Sequence, residues 1–345
     1  RVARPARVHT HFLIVGAGPF GLAMSAQAKS MGVDHIVVGE PLSFWKQHMP
    51  KGMLLRSGID WHLDPLEEDT IARFLQVRGL SPSDVLPISL EFYLEYAAWF
   101  METKRIEVRR SRIAILEKSG GRFIAHFDDG SELSANRVLL ALGFAPFVHV
   151  PEELTAKIPA NRSCHTCDVQ APEDFADRRL LIVGGRQSAF ETGALLAEAG
   201  AAAVHICHRH ATPGFTESDW SWVGGLLNRI AEEPTWYRSL PPDERNALDK
   251  RFWKEGRLKL EPWLGPRVKH DAITIHPKTS VVHCAVVENT LRLKLSSGEA
   301  MDVDQVIYAT GYKADVGQVP LLRSGTLLDQ IDLVNGFPVL DETMQ

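Results

Sequence analysis

The sequence predicts an α/β chain made of two doubly wound, Rossmann-like units, and three observations predict it. Apolar strand runs pass into glycine turns at Ile14-Val15-Gly16-Ala17-Gly18-Pro19-Phe20-Gly21 and again at Ile182-Val183-Gly184-Gly185-Arg186-Gln187-Ser188-Ala189. Gly16 and Gly184, Gly130 and Gly298, and Gly143 and Gly311 are each 168 residues apart. Three landmarks in one register indicate a duplicated domain, since solenoid periods are far shorter. In both copies strands alternate with helices, which implies a parallel sheet.

The elements follow in order. The run His11–Val15 is the first buried strand, the small-residue stretch Phe20–Ser30 a helix, and His35–Val38 a second strand. Alternating residues at Arg122–Phe127, a turn at Gly130 and a closing strand at Val138–Gly143 fit a β-meander. The second copy repeats this with Gln187–Ala199, Ala203–Cys207, Leu291–Leu295 and Val306–Gly311. The expected boundaries are 1–150 for the first dinucleotide-binding domain and 151–305 for the second, with a helical insert at about 215–265. Residues 306–345 are expected to return to the first domain.

Of the 345 residues, 45% are hydrophobic and 23% charged, ordinary values for a chain that buries a core. The net charge of −5, with basic residues scattered apart from the start Arg1–Arg7, argues against nucleic acid as a partner. No apolar run approaches the roughly 18 residues of a membrane span. The first one leads straight into a glycine motif, so it reads as a core strand and not a secretory signal. Four cysteines make no disulfide scaffold, and a reduced, cytoplasmic setting is expected. Assembly into a homo-oligomer is left open.

The first motif has the context that dinucleotide binding needs. Gly16 makes the tight turn, Gly18 admits a pyrophosphate, and Gly21 lets the helix pack closely on the sheet. The free amides at the helix start, after Pro19 and Phe20, hold the anion. Glu40 follows the second strand, where a carboxylate accepts from ribose hydroxyls. In the second motif Arg186 replaces the middle glycine and Ala189 the third. The Arg186 guanidinium is a candidate phosphate partner. Gly184, Gly185, Gln187 and Ser188 complete that turn. Arg209 follows the second strand, with no acid there, which favours NADP over NAD; the plainer reading is a solvated surface charge.

These residues resemble flavin-dependent monooxygenases with two dinucleotide domains, the class B and N-hydroxylating type, over about Phe12 to Gln345. GAGPFGL is similar to that family's FAD fingerprint, and GGRQSA resembles its NADPH fingerprint. Thr310 and Gly311 lie in an ATGY segment like the family's. The stretch from Pro41 to Ser57 looks like the one that wraps the flavin, with Trp45 at the characteristic tryptophan; a core aromatic is the alternative. Asp64-Pro65, with the helix-like run after it, looks like the family segment that precedes the return to the FAD domain.

The resemblance implies FAD in the first domain and NADPH in the second. It implies a C4a-(hydro)peroxyflavin that transfers oxygen to a small nucleophilic substrate, with amine N-hydroxylation the first choice. Molecular oxygen and a small molecule are then the partners, and no metal is expected. Arg56 and Gln47 are the catalytic candidates, with Ser57 and Asp60 beside them. Arg56 fits stabilisation of developing negative charge or of a substrate carboxylate, or equally a structural ion pair.

Two rival functions stand. Cys164-His165-Thr166-Cys167-Asp168 resembles the CxxC-Asp of thioredoxin-reductase-like flavoenzymes, which implies a pyridine-nucleotide disulfide reductase. A zinc site from Cys164, Cys167, His208 and His210 is the remoter option. The other rival is a non-catalytic flavin- or nucleotide-binding module. The aromatic group Trp220, Trp222, Trp236, Tyr237, Trp253 and Trp263 reads as the core of the insert, or as a cap over the active site. Flavoproteins of the resembled type continue past NGFPVLDETMQ with another FAD-contacting strand and helix; either that tail is absent here, which implies weaker FAD binding, or the ending is unusual, and the intact first motif predicts a yellow protein.

Overall fold

The computed structural model describes residues 8–341; the basic start Arg1–Arg7 lies outside them. The chain forms two compact units. One comprises the residues up to Val148 together with Tyr312–Val339, the other His149–Gly311 with the residues from Leu340.

The first unit opens with β1 (Val8–Val15), α1 (Pro19–Ser30) and β2 (His35–Val38). Helices α2 (Ser43–Gln47), α3 (Ile71–Arg78) and α4 (Leu90–Thr103) follow, then β3 (Val108–Arg109), β4 (Ile113–Ser119), β5 (Arg122–Phe127) and β6 (Glu132–Leu140). They make one sheet in the order β3-β2-β1-β6-β5-β4, parallel through β6 and antiparallel beyond. Ile14 pairs with Val37 on one side and Leu139 on the other, so β1 is central, and it is wholly buried there. The segment between β2 and β3 packs firmly: Leu90, Tyr93, Tyr96, Ala97 and Phe100 of α4 are buried in one apolar cluster with Ile14 and Leu22.

In that segment Asp64 is a loop clamp. Its carboxylate accepts from the amides of Leu66, Glu68 and Asp69, and Lys104 reaches it at 2.9 Å. Burial pulls the Lys104 pKa down, but bonds to Glu68, Asp64 and Asp69 outweigh that and hold it above its ordinary value. The ammonium thus sits in the carboxylate group Asp64, Glu68 and Asp69 that is otherwise suited to a metal ion.

The second unit contains α5 (Glu152–Thr155), β7 (Ser163–His165), β8 (Arg179–Val183), α6 (Gln187–Glu198) and β9 (Ala203–His208). The insert follows: β10 (Gly214–Phe215), α7 (Val223–Glu232), α8 (Trp236–Ser239), α9 (Pro242–Arg257) and β11 (Lys259–Leu260). Then come α10 (Leu264–Arg267), β12 (Ile273–Pro277), the meander β13 (Val281–Val287), β14 (Thr290–Leu295) and β15 (Ala300–Val303), and β16 (Gln305–Tyr308). The sheet β12-β9-β8-β16-β7 is parallel throughout, and the meander is a separate sheet.

Tyr312 starts the return to the first unit, six residues later than the sequence reading places it. Residues Gln305–Tyr308 pair with β8 and β7, so they belong to the second sheet. In the returning stretch, α11 (Pro320–Arg323) is followed by the small hairpin β17 (Leu333–Val334) and β18 (Phe337–Pro338). Leu322 buries against Ile113 and Leu116 of β4, which explains the tail's allegiance.

The aromatic group of the insert is not the core that helical spacing suggests. Val223 is the buried residue of α7 and Glu255 that of α9. Arg251 covers Trp222 at 4.1 Å, with the Phe252 ring 4.7 Å from it, and Arg229 covers Trp236 at 4.4 Å, so cations share the place of apolar neighbours. Trp263 packs against the main cluster of the second unit. Among the described residues, no helix is long and apolar enough to cross a membrane.

Candidate functional site

The corner between β1 and α1 is shaped by its glycines. A Cβ on Gly16, at φ +114°, would stand 2.1 Å from the Ala141 carbonyl oxygen, and one on Gly21 would stand 1.9 Å from that of Gly16. Both contacts are impossible, so the turn is tight by construction. Gly18 differs: nothing lies within 4 Å of its Cβ position. It is the N-cap of α1 and offers no side chain to the helix amides, with Pro19 at the first position. Open space before uncapped amides is what a pyrophosphate requires. Phe20 is 85% exposed, so its ring takes no part in the core.

A cleft of about 430 Å³ continues from this corner, lined among others by Val15, Gly16, Glu40, Arg110, Arg112 and Leu321. Apolar walls with one carboxylate suit an adenosine, the ring in the slot and the ribose on the acid. Glu40 stands two residues past β2, and its Oε1 lies 3.6 Å from Arg110 Nη1. Sequence reasoning missed Arg110 and Arg112, which come next to a strand of two residues that carries no pattern of its own.

The second corner has the same frame and a different filling. A Cβ on Gly184 would meet the Ala309 carbonyl oxygen at 2.4 Å. A Cβ on Gly185 would meet His208 at 2.5 Å and His210 at 2.9 Å, so this glycine makes room for imidazoles. Burial lowers the His208 pKa and keeps it neutral, and its Nδ1 bonds the His210 carbonyl at 2.8 Å. Arg186 is the N-cap of α6 without a side-chain cap. Its guanidinium bonds the Arg257 carbonyl at 2.8 Å. Gln187 accepts from the Glu261 amide at 3.1 Å; Ser188 is half-buried. Arg209, 77% exposed, pairs with Glu153 at 3.6 Å. Thr310 donates to the His149 carbonyl, and Gly311, at φ +78°, accepts from the His149 amide.

Trp45 stacks on Tyr93 with ring centres 4.6 Å apart and packs against the apolar cluster. Gln47 is exposed at the end of α2, and Arg56 is half-buried beside buried Leu55.

The CxxC pair is poorly made for redox work. All four cysteines are free thiols. Burial, and then the charge of Asp168, push the Cys164 thiol up to about 11, so its thiolate is scarce near neutrality. Cys167 is buried, its Sγ 3.2 Å from His165 Nδ1. The zinc option fails on topology. Strands β8 and β16 separate β9 from β7, which puts His208 and Cys164 about 14 Å apart at ordinary strand spacing.

A family model described as pyridine nucleotide-disulphide oxidoreductase matches residues 13–233. The chain belongs to this family. Proteins named as monooxygenases, as N-hydroxylases and as a disulfide reductase are among those this chain is similar to. The indole-3-pyruvate monooxygenase YUCCA1 of Oryza sativa subsp. japonica is 24% identical over 328 residues, which cover 88% of this chain and 77% of that protein. Against other curated relatives the chain spans about half of their length. An ornithine N-hydroxylase of Kutzneria sp. 744, described with reduced FAD, NADP+ and L-ornithine, superposes with a TM-score of 0.75 at 15% identity, covering 97% of this chain and 88% of that one. A bacillithiol disulfide reductase of Staphylococcus aureus gives 0.61 at 17%, covering 92% and 80%. Likenesses at these identities establish the shared fold.

Proposed function

We propose that the chain is an FAD- and NADPH-dependent monooxygenase acting on a small nucleophilic substrate, with an amine as the preferred class and N-hydroxylation as the reaction. The supporting observation is the pair of strand–glycine–helix corners, each with an uncapped helix start, the first opening into the cleft that holds Glu40. In this reading Gly16, Gly18, Pro19, Phe20, Gly21 and Glu40 hold FAD, with Trp45 behind them. Gly184, Gly185, Gln187, Ser188 and Arg209 hold NADPH, and Thr310 and Gly311 fix the chain beside it. FAD, when bound, supplies the electron and oxygen chemistry. The chain's part is to orient the cofactors and exclude water, and Arg56 and Gln47 are the polar groups assigned to substrate. The kinship with enzymes named as monooxygenases and N-hydroxylases supports this class.

The disulfide-reductase reading ranks second because Cys164 is a half-buried thiol held protonated near neutrality. One experiment separates the two. Purified protein given FAD is tested for NADPH oxidation and oxygen uptake with a panel of primary amines, and separately with disulfides. Amine-dependent oxygen uptake that yields a hydroxylamine, unchanged when Cys164 and Cys167 are both serine, is the expected result. A protein that takes up no FAD, or oxidises NADPH with disulfides alone, overturns it. Within this reading Arg209→Ala weakens NADPH about tenfold and leaves NADH unchanged, an effect of about 1.4 kcal/mol. Equal changes for both nucleotides remove Arg209 from the site.

A further inference from the structure

The N-cap and first residue of α6 do more than open the second glycine turn. Arg186 donates from Nη1 to the carbonyl of Arg257, the last residue of α9, at 2.8 Å. Its guanidinium lies 5.5 Å from the ring centre of Trp253, one turn earlier on the same helix. Gln187 accepts from the Glu261 amide, just past β11. Two neighbouring residues of the glycine motif therefore fasten the end of the helical insert.

The Arg186 bond is a cap. The last carbonyls of a helix lack partners and carry the negative end of its dipole, so a guanidinium there is stabilising. Yet the acceptor is neutral. Loss of water, and then the like charge of Arg257, lower the Arg186 pKa. Among the described residues no carboxylate pairs with it. A phosphate bound at the start of α6 offers the same guanidinium a charged acceptor, and charge-assisted bonds are about twice as strong as neutral ones. Other bonds near this end of α9 come from inside the insert or from β11: Ser218 and the Asp219 amide bond Glu255, the buried residue of the helix, and Lys259 pairs with it.

We propose that Arg186 is a positioning residue that couples the helical insert to nucleotide binding: a phosphate and the Arg257 carbonyl compete for one guanidinium, so an occupied second corner unfastens the end of α9. The coupling rests on the reading of residues 182–189 as a nicotinamide-dinucleotide site.

Hydrogen–deuterium exchange on the full chain, with and without saturating NADP+, tests it, with binding itself measured by calorimetry. NADP+ is expected to raise exchange several-fold at the amides of residues 254–258 in the unaltered protein. Arg186→Ala is expected to exchange fast there without nucleotide, to show no further rise, and to bind NADP+ about tenfold more weakly. NADP+ that binds the unaltered protein yet leaves this exchange unchanged or slower overturns the coupling alone. NADP+ that does not bind overturns the nucleotide site, and the coupling with it. Should Arg186→Ala fail to fold, the comparison on the unaltered protein decides.

Discussion

Both units carry an insertion at the same place, between the second strand and the strand that pairs beside it: β2 to β3 in one, β9 to β12 in the other. The two are stabilised differently. In the first, α4 buries five residues in the cluster that also holds the core of β1. In the second, α7 and α9 bury one residue each, and the attachments lie at the insert's ends: the short pair β10–β11, with Phe215 and Leu260 in the main apolar cluster, and polar bonds from Arg186 and Gln187. Aromatic content does not decide which outcome occurs. What the rings meet does: Tyr93 and Tyr96 meet other buried rings, whereas Trp222 meets half-exposed Phe252 and Arg251, and Trp236 meets Arg229.

The largest test of this contrast removes one ring from each insertion. Phe100 is fully buried, so Phe100→Ala is expected to cost about 3–5 kcal/mol in urea unfolding. Phe252 is 37% exposed, and Phe252→Ala is expected to cost under about 1 kcal/mol. Similar losses would abolish the distinction.

A second test uses a strand that is continuous in one unit and broken in the other. Residues 132–140 form β6, while their equivalents 168 positions on form β15 and β16, separated by Asp304. Asp304 binds Arg179 through both carboxylate oxygens, at 2.7 Å and 3.2 Å, and accepts its amide at 2.8 Å. These bonds, side-chain bond first, hold the Asp304 pKa below its ordinary value. The stabilisation is therefore complete above the unfolded carboxylate value, about 4, and fades as pH falls through the lower folded value. Asp304→Asn is expected to cost about 1–2 kcal/mol at pH 7, a difference that shrinks towards pH 3. Asn136→Ala, at the equivalent place in β6, is expected to change stability by under about 0.5 kcal/mol. A pH-independent Asp304 effect would remove the ion pair from the account.

The smallest effect concerns the strand beside each closing strand. β6 is flanked by antiparallel β5, whereas β16 is flanked by parallel β7, which carries Cys164. With its thiol pushed up to about 11, Cys164 is expected to react with iodoacetamide at pH 8 about two orders of magnitude more slowly than a free thiol. Fast alkylation would restore the redox reading of β7.

Much of this was legible in the residues. The 168-residue register exposed both glycine corners, because a glycine whose Cβ would strike a carbonyl has no substitute. Strands such as His35–Val38 and Arg122–Phe127 followed from periodicity. Contacts between distant residues were not legible. Nothing local marks Arg186 as the partner of a carbonyl 71 positions away, nor Arg110 as a neighbour of Glu40. Helical spacing of tryptophans reads the same whether the facing side chains are leucines or arginines. The return to the first unit fell at Tyr312 because pairing partners, not apolarity, decide which sheet claims Gln305–Tyr308.

The interruption at Asp304 has a consequence for how such chains can be recombined. In the first unit meander and parallel sheet share one unbroken strand, so exchanging the meander for another means cutting through a ladder. In the second, the three meander strands leave the main sheet at a single residue held by an ionic staple. Exchanging that module therefore means keeping two things together, the Arg179 contact and the apolar face of Leu291, Leu293 and Leu295 that buries beside Leu181.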